Sequence, residues 1–272
     1  MACAYALNYP LLKIAFAMEP PLVVLFYRVL FALVSSLPFL LLNIRKFPVG
    51  RTDNLLVLSV SMLNIVGFMG LWFLGESMVS ANLSSILVYT YPLFNVLLSM
   101  VFINENPGKR TIVGMIIGFA GVVMVASTNI YVNGYLGIIL LISSAVSWAG
   151  GTVLFKKKTP HIDVRAINVL QYAYSLPVIL VLALMFGNFP FSGLTPEFLG
   201  VGFYLGLVGT YIPYLIYLML FRNYSVSRIS PYFFVIPAIS IGFSSVLLGE
   251  TISLLTAVGF AVISVGVFLS NR

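Results

Sequence analysis

Residues 92–121 (PLFNVLLSMVFINENPGKRTIVGMIIGFAG) and residues 237–266 (PAISIGFSSVLLGETISLLTAVGFAVISVG) decide the fold, because they follow one pattern twice. Each stretch has a proline, a glutamate and two glycines at the same relative positions, 145 residues apart: Pro92, Glu105, Gly114 and Gly121 recur as Pro237, Glu250, Gly259 and Gly266. Most of the residues between them are apolar. A repeat at about half the chain length in apolar sequence indicates a membrane carrier of two related halves, with a binding site between them.

The composition independently predicts a membrane protein. Hydrophobic residues make up 61% of the chain, charged residues only 8%, and the mean hydropathy is +1.09. A chain of this size with so few polar residues cannot cover a water-soluble surface, so it must be solvated by lipid. Its single cysteine, Cys3, and single histidine, His161, give no disulfide framework and no metal site of the usual Cys/His kind. We therefore expect no metal and no cofactor.

Apolar runs long enough to cross a bilayer predict an all-α integral membrane protein with ten transmembrane helices. The expected limits are 2–18, 21–42, 54–75, 79–103, 110–128, 134–155, 165–187, 197–221, 228–248 and 251–270. Five helices in each half is an odd number, so the second half enters the membrane from the opposite side. The sequence thus predicts two inverted-topology five-helix repeats, residues 1–128 and residues 134–272.

The distribution of cations predicts the orientation. With the N-terminus in the cytoplasm, twelve of the fourteen Lys and Arg residues fall at inner helix ends or loops and the other two lie inside helices. Because cytoplasmic loops collect Lys and Arg, both termini are predicted to be cytoplasmic in a multi-pass protein of the cell membrane. The formal charge of +7 is then a topological signal, and we expect no nucleic acid as a partner.

The chain resembles the drug/metabolite transporter superfamily, specifically the ten-helix EamA type. The matching features are the aromatic-x-x-Asn opening of the first helix that ends in Lys (Tyr5, Asn8, Lys13), Arg28 early in the second, and the twice-repeated helix with a proline and a terminal glutamate. The resemblance implies transport of small metabolites by alternating access. The resemblance also implies that relatives which transport triose phosphates and nucleotide sugars hold the phosphate with basic residues deep in the later helices. None lies deep in helices six to ten here, so phosphorylated substrates are disfavoured.

Two embedded cations are candidate functional residues, since charge inside a bilayer is costly. Lys13 is close enough to the outer end of its helix to reach the interface or pair with Glu19, which favours a structural role. Arg28 lies roughly 10 Å inside the second helix. It could clamp backbone carbonyls or an outer carboxylate such as Glu250, or it could anchor a substrate carboxylate; the sequence favours the clamp.

The acidic residues indicate how transport is energised. All seven lie near predicted helix ends and none near a helix centre: Glu19, Glu76, Glu197 and Glu250 at outer ends, and Asp53, Glu105 and Asp163 at inner ends. Proton-driven antiporters commonly use an embedded carboxylate or histidine. We therefore expect exchange or facilitated diffusion rather than obligate proton coupling.

The helix centres instead contain neutral polar and aromatic residues, which suit a neutral or zwitterionic solute with an apolar body. The predicted substrate-binding residues are Asn8, Tyr9, Asn64, Trp72, Tyr89, Tyr91, Asn95, Trp148, Tyr211, Tyr214 and Tyr232. Thr152 and Phe234 also lie near helix centres. Each of these residues has an alternative role as an interfacial anchor or a helix-to-helix contact.

Prolines and glycines mark the repeat. Pro92 and Pro237 are predicted to interrupt equivalent helices, either as a gating break beside the binding site or as structural kinks. The glycines of helices five and ten, Gly114, Gly118, Gly121, Gly259 and Gly266, predict faces for close helix packing, with a dimer contact as one option. A monomer and a homodimer are both compatible with the sequence.

The predicted function is secondary transport of small organic solutes, amino-acid-like or otherwise neutral or zwitterionic, by an exporter or exchanger with a central cavity. The alternatives are a membrane-embedded enzyme and a non-transport membrane protein. No Ser/His/Asp set, paired acidic cluster or nucleotide loop favours an enzyme. Short loops offer little surface for a scaffold protein.

Overall fold

The computed structural model describes residues 1–42, 47, 50–79, 81–126, 135–186, 194–248 and 254–270. These residues are predominantly helical, and we number the helices α1 to α10. They are α1 (Ala2–Met18), α2 (Pro21–Leu42), α3 (Arg51–Glu76), α4 in two pieces (Ala81–Val88 and Tyr91–Phe102), α5 (Lys109–Ala126), α6 (Tyr135–Lys158), α7 (Val164–Phe186), α8 (Pro196–Asn223), α9 in three pieces (Val226–Ile229, Ser230–Phe234 and Val235–Leu248) and α10 (Leu254–Ser270).

Within these residues, six helices are long and apolar enough to cross a membrane: those at 21–41, 51–76, 135–158, 164–186, 196–223 and 226–247. Three shorter apolar helices lie at Ala2–Met18, Ile86–Phe102 and Ala257–Ser270. The all-α membrane fold predicted from the sequence is confirmed. Where the predicted limits fall among the described residues, they agree with the observed helix ends to within three residues, whereas the limits predicted at residues 128, 134, 187 and 251 lie outside the described residues. Ten bilayer crossings in inverted repeats stay a prediction.

The helices depart from α geometry at equivalent positions of the two halves. A π-helical segment runs from Met62 to Gly70 in α3, and another from Leu207 to Tyr211 in α8. The starting residues are 145 apart, as in the sequence repeat. In α4 the helix is interrupted at residues 89–90, and in α9 a 3-10 segment changes to α-helix between residues 234 and 235, again 145 positions later. Four backbone irregularities therefore follow the spacing of the sequence pattern.

Both prolines lie in the first turn that follows an interruption. Pro92 is the second residue of the piece Tyr91–Phe102, and Pro237 is the third residue of the piece Val235–Leu248. A proline in the first helical turn loses no intrahelical hydrogen bond, because the N–H groups there have no partner within the helix. The prolines thus begin new helical pieces rather than kink continuous helices. A gating role for the two breaks stays a prediction.

Helices α5 and α10 pack backbone to backbone through their glycines. A Cβ atom on Gly114 would lie 2.5 Å from the carbonyl oxygen of Gly266, and one on Gly266 would lie 2.3 Å from the amide nitrogen of Gly118. A Cβ on Gly121 would lie 2.8 Å from the Gly259 carbonyl oxygen. The glycine faces that the sequence offered for a dimer contact are therefore covered within the chain, since the two helices need them to approach each other.

Polar contacts join the helix ends that carry most of the Lys and Arg residues, which we call the basic end. Lys157 Nζ, at the end of α6, donates to the carbonyl oxygen of Phe102 at 2.7 Å. The Glu105 carboxylate accepts from the backbone N–H groups of Val226 and Ser227 at 2.8 and 2.9 Å, and so caps the start of α9. The ends of α4, α6 and α9 are thereby held together.

Two further contacts complete the basic end. Arg222, at the end of α8, donates to the carbonyl oxygens of Pro160 and Thr159 at 2.6 and 2.9 Å. His161 Nε2 lies 2.9 Å from Asp53 Oδ1, with both side chains partly exposed. The structure shows Asp53 as its partner, brought close by the packing of α3 beside the loop between α6 and α7.

Candidate functional site

A central cavity of about 50 Å³ lies where the two halves meet. Its walls come from α1, α2, α3, α4 and the second-half helices α6 and α9. The lining residues are Tyr5, Asn8, Tyr9, Arg28, Phe68, Met69, Trp72, Val88, Tyr89, Tyr91, Trp148, Phe233 and Ile236. Because both halves contribute, a movement of one half against the other would reshape this cavity.

Most of the wall consists of aromatic rings in mutual contact. The Phe68 and Trp148 ring centroids are 4.3 Å apart, and those of Tyr91 and Phe233 are 5.5 Å apart. In the same wall, the Tyr9 hydroxyl donates to the Tyr89 hydroxyl at 3.1 Å. Such a wall provides large apolar faces together with a few hydroxyl groups, which is typical of sites for small organic molecules.

Arg28 is the one charged residue among the described residues that line the cavity, and it is 1% exposed. Its Nε donates to Thr210 Oγ1 at 2.6 Å, and its Nη2 donates to the carbonyl oxygen of Gly209 at 3.2 Å. Both acceptors belong to the π-helical segment of α8. The backbone clamp that the sequence favoured is therefore present. Glu250, the carboxylate that the sequence offered as a partner, lies outside the described residues.

Asn8 shares the same acceptor. Its Nδ2 donates to the Gly209 carbonyl oxygen at 2.9 Å, so this oxygen accepts from both Asn8 and Arg28. A Cβ atom on Gly209 would lie 2.1 Å from Asn8 Oδ1. Only glycine allows the Asn8 amide to lie against α8 at this height. The contact ties α1 and α2 of the first half to α8 of the second.

The structure brings together seven residues that the sequence proposed for the site. Asn8, Tyr9, Arg28, Trp72, Tyr89, Tyr91 and Trp148 all line the central cavity. They come from five different helices, so the agreement depends on the rotation of each helix about its axis. Their role in substrate binding stays a prediction.

Six other proposed residues do not line this cavity. Asn64 and Asn95 are fully buried between helices, Tyr214 stacks on Tyr217, and Tyr211 contacts Tyr172. Tyr232 is 48% exposed and lines a second cavity instead. Lys13 is exposed on α1, in keeping with the structural role favoured from the sequence. Position along a helix does not give the face on which a residue lies, so it did not separate these residues from those that line the cavity.

The sequence also missed six residues that line the cavity: Tyr5, Phe68, Met69, Val88, Phe233 and Ile236. Five of them are purely apolar and cannot be told from lipid-facing residues in an apolar helix. Phe68 had a usable signal, because it precedes Trp72 by four residues and so shares its helix face. Tyr5 carried part of the family resemblance, but we did not place it in the site.

A second and larger cavity lies on the side of the basic end, with a volume of about 390 Å³. Its lining residues are Met1, Ala2, Leu220, Tyr224, Arg228, Ile229, Tyr232, Phe233 and Ile236. Phe233 and Ile236 line both cavities. The two spaces are therefore separated by these two side chains, which lie on either side of the junction within α9.

The model of the EamA-like transporter family matches residues 1–127 and again residues 135–272. The chain belongs to the EamA-like transporter family, as the sequence resemblance implied, and is thus a multi-pass membrane protein of a transporter family. It is 28% identical to the uncharacterized transporter YvbV of Bacillus subtilis, over 98% of this chain and 88% of that protein. It is 30% identical to the uncharacterized inner membrane transporter YedA of Escherichia coli K12, over 96% of this chain and 85% of that protein.

A solved structure described as "Crystal structure of protein" has a similar fold. The TM-score is 0.82, with 15% sequence identity, over 98% of this chain and 94% of that chain. At this level of identity the similarity concerns the fold alone. It nevertheless covers nearly the whole chain, including both halves.

Proposed function

We propose that this protein is a secondary transporter that moves small neutral or zwitterionic organic solutes, including amino-acid-like metabolites, by alternating access around the central cavity. The observation that carries this proposal is the cavity between the halves, with its aromatic wall and its few polar groups. Membership of a transporter family supports it. Exchange or facilitated diffusion is the mode that the residues of the wall favour, since none of them is a carboxylate or histidine.

We further propose that residues 1–128 and 134–272 form two inverted repeats of five membrane-spanning helices each. The paired irregularities of the backbone support this, because the π segments and the interruptions recur at the spacing of the sequence repeat. The two separate matches of the family model fit the same division. The basic end is then cytoplasmic, together with both termini, as the positive-inside rule requires.

The route to the site is proposed to run through the cavity at the basic end. A space of about 50 Å³ holds a few water molecules, whereas sites for metabolites occupy roughly 300–1,000 Å³. Solute binding therefore requires the aromatic rings to separate. Displacement of Phe233 and Ile236 would join the central cavity to the larger one and so open the site toward the cytoplasm.

The test is solute counterflow in proteoliposomes that contain the purified protein. The panel comprises zwitterionic amino acids, neutral hydrophobic solutes, organic anions and sugar phosphates, with and without a pH gradient. We expect saturable exchange that the gradient does not alter. Trp72→Ala should reduce exchange about 10-fold or more, because it removes a face of the site. Tyr135→Ala is the matched control, since Tyr135 is 81% exposed at the start of α6.

Two outcomes would contradict the proposal. Exchange confined to sugar phosphates would mean that the chemistry of the site has been misassigned. Chemical turnover of a solute without any exchange would favour the membrane-embedded enzyme instead.

A further inference from the structure

Arg28 carries a charge that no described side chain neutralises. It is 1% exposed, and no carboxylate of the described residues forms an ion pair with it. A buried guanidinium without a counter-ion is costly, and in membrane proteins such residues commonly mark the path of a substrate or ion. The clamp on Gly209 and Thr210 supplies neutral acceptors only, so it positions the guanidinium without balancing its charge.

The remaining hydrogen-bonding capacity of Arg28 is left unused. Nε and Nη2 are engaged by α8, whereas Nη1 is buried and has no hydrogen-bond partner. Four other residues that line the same cavity also have buried polar atoms without a hydrogen-bond partner: the hydroxyl of Tyr5, Oδ1 of Asn8, and Nε1 of Trp72 and of Trp148. Buried polar atoms are nearly always satisfied in proteins. Five such atoms around one cavity point to a polar ligand that supplies the missing partners.

We propose that Arg28 binds the carboxylate group of the transported solute, and that the aromatic cavity receives an apolar body attached to it. This assignment rests on the proposed transport function and adds the substrate class to it. The carboxylate would accept from Arg28 Nη1 and from the Tyr5 hydroxyl, a charge-assisted arrangement that is stronger than a neutral one. The two engaged nitrogens hold the guanidinium in place, so little side-chain entropy is lost when the solute binds.

The apolar residues of the cavity wall determine the rest of the solute. Phe68, Met69, Val88 and Trp148 present apolar surface, which favours an aromatic or branched aliphatic body over a sugar or a polyol. The unpartnered Asn8 Oδ1 can accept from an ammonium group. An α-amino acid and the corresponding acid without its amino group both provide the carboxylate, and the experiment separates these two sources.

The experiment measures counterflow and competition with four related solutes in the wild-type protein: phenylalanine, 3-phenylpropionate, phenylalanine amide and phenethylamine. All four share one aromatic body, and only the first two have a carboxylate. We expect each solute that lacks the carboxylate to compete about 10- to 100-fold less well than the better of the two acids, because a charge-assisted hydrogen bond is lost. If the two acids compete equally well, the amino group of the solute does not contribute to binding at Asn8.

Variants then test the residue. Arg28→Gln should abolish the preference for acids over the amide, whereas Arg110→Gln, at an exposed position, should leave it unchanged. Tyr5→Phe removes only the second hydrogen-bond donor to the carboxylate. It should reduce the preference for acids over the amide about 3- to 10-fold. Thr210→Val releases the clamp at Nε without touching Nη1 and should lower thermal stability more than selectivity. If Arg28→Gln does not fold, the solute series and Tyr5→Phe still test whether Arg28 binds the carboxylate.

The failures are distinguishable. If the wild-type protein exchanges the amide or the amine as well as the acids, Arg28 is not a carboxylate anchor, while the transport function stands. The same conclusion follows if Arg28→Gln folds and keeps its preference for acids. If the wild-type protein exchanges no member of this series or of the wider panel, the transport function is contradicted together with the anchor.

Discussion

Two pairs of equivalent helices show opposite relations between the halves. Helices α5 and α10 meet through glycines that both halves supply, and each helix approaches the backbone of the other in the same way. Helices α3 and α8 share a π-helical segment that begins at the equivalent residues Met62 and Leu207, yet their partners differ. In α3 the Leu63 carbonyl oxygen accepts from the Ser147 hydroxyl at 2.7 Å. In α8 the Gly209 carbonyl oxygen accepts from Asn8 and Arg28.

The same contrast holds at one pair of repeat positions. Asn64 in α3 and Gly209 in α8 are 145 residues apart and are therefore equivalent. A Cβ atom on Gly151 would lie 2.0 Å from Asn64 Oδ1, just as one on Gly209 would lie 2.1 Å from Asn8 Oδ1. At both helix crossings an asparagine amide therefore lies against a glycine. In α3 the π segment contributes the asparagine, whereas in α8 it contributes the glycine. The two halves make equivalent contacts where α5 packs against α10. Their contacts differ in the π segments of α3 and α8.

The largest effect is expected at the α5–α10 contact. In Gly266→Ala the new Cβ would lie 2.3 Å from a backbone nitrogen of α5, which cannot move without separating the helices. We expect a loss of about 3 kcal/mol or more in stability and little folded protein, measured by thermal unfolding in detergent.

The matched control is Gly200→Ala, an exposed helical glycine with no atom within 4 Å of the added Cβ. It should change stability by less than about 1 kcal/mol. Equal unfolding temperatures for the two variants would show that the glycine faces of α5 and α10 do not require close approach.

A second prediction compares the two crossings of asparagine and glycine. In Gly209→Ala the Asn8 side chain must rotate and lose its hydrogen bond to the Gly209 carbonyl oxygen, which costs about 1–3 kcal/mol and displaces a wall of the site. In Gly151→Ala the displaced Asn64 has no hydrogen bond to lose. Counterflow should therefore fall about 10-fold or more in the first variant and less in the second. The reverse order would show that the chemistry of the site is not concentrated on the α8 side.

A third prediction concerns Glu105, whose carboxylate joins the end of α4 to the start of α9. Glu105→Gln replaces a charged acceptor of two backbone N–H groups by a neutral amide, and we expect a loss of about 1–2 kcal/mol. Glu197→Gln serves as the control, because Glu197 is exposed in the first turn of α8. Hydrogen exchange of the amides of residues 226–234 measures the effect directly. Unchanged protection there would mean that the cap does not hold the start of α9.

The smallest effect is expected in the π segment of α3. Ser147→Ala removes the hydrogen bond to the Leu63 carbonyl oxygen, and we expect a loss of about 0.5–1 kcal/mol with counterflow unchanged. Thermal unfolding and counterflow on the same preparation test both parts. A loss of transport as large as that of Gly209→Ala would remove the functional contrast between α3 and α8.

The sequence predicted the helices better than it predicted their faces. Runs of apolar residues between short polar breaks predicted the helix ends that lie among the described residues, and the paired prolines marked the interruptions in α4 and α9. A helix that is apolar on all sides carries no periodic signal to show which residues face the protein. Depth along the helix therefore selected, by the same reasoning, Trp72 and Trp148, which line the central cavity, and Tyr211 and Tyr232, which do not.

The π segments explain part of what the sequence did not predict about the helix faces. A π turn has one residue more than an α turn, so it rotates the side chains that follow it relative to α-helical expectation. Asn64 lies within the α3 segment and faces Gly151, while Tyr214 follows the α8 segment and faces Trp148 and Tyr217. No residue pattern in these apolar stretches predicts a π turn. The unpaired Nη1 of Arg28 likewise depends on contacts with α8 that only the three-dimensional arrangement supplies.

Conversion of the 3-10 segment Ser230–Phe234 to α-helix would change the length of α9. A 3-10 helix rises about 2.0 Å per residue and an α-helix about 1.5 Å, so conversion of these five residues would shorten the segment by roughly 2.5 Å. The turn per residue also changes from about 120° to about 100°, which adds a rotation of roughly 100° over the segment. Phe233 would then rotate about the helix axis and move along it at the same time. Its side chain would withdraw from the wall between the two cavities while the neighbouring helices keep their positions.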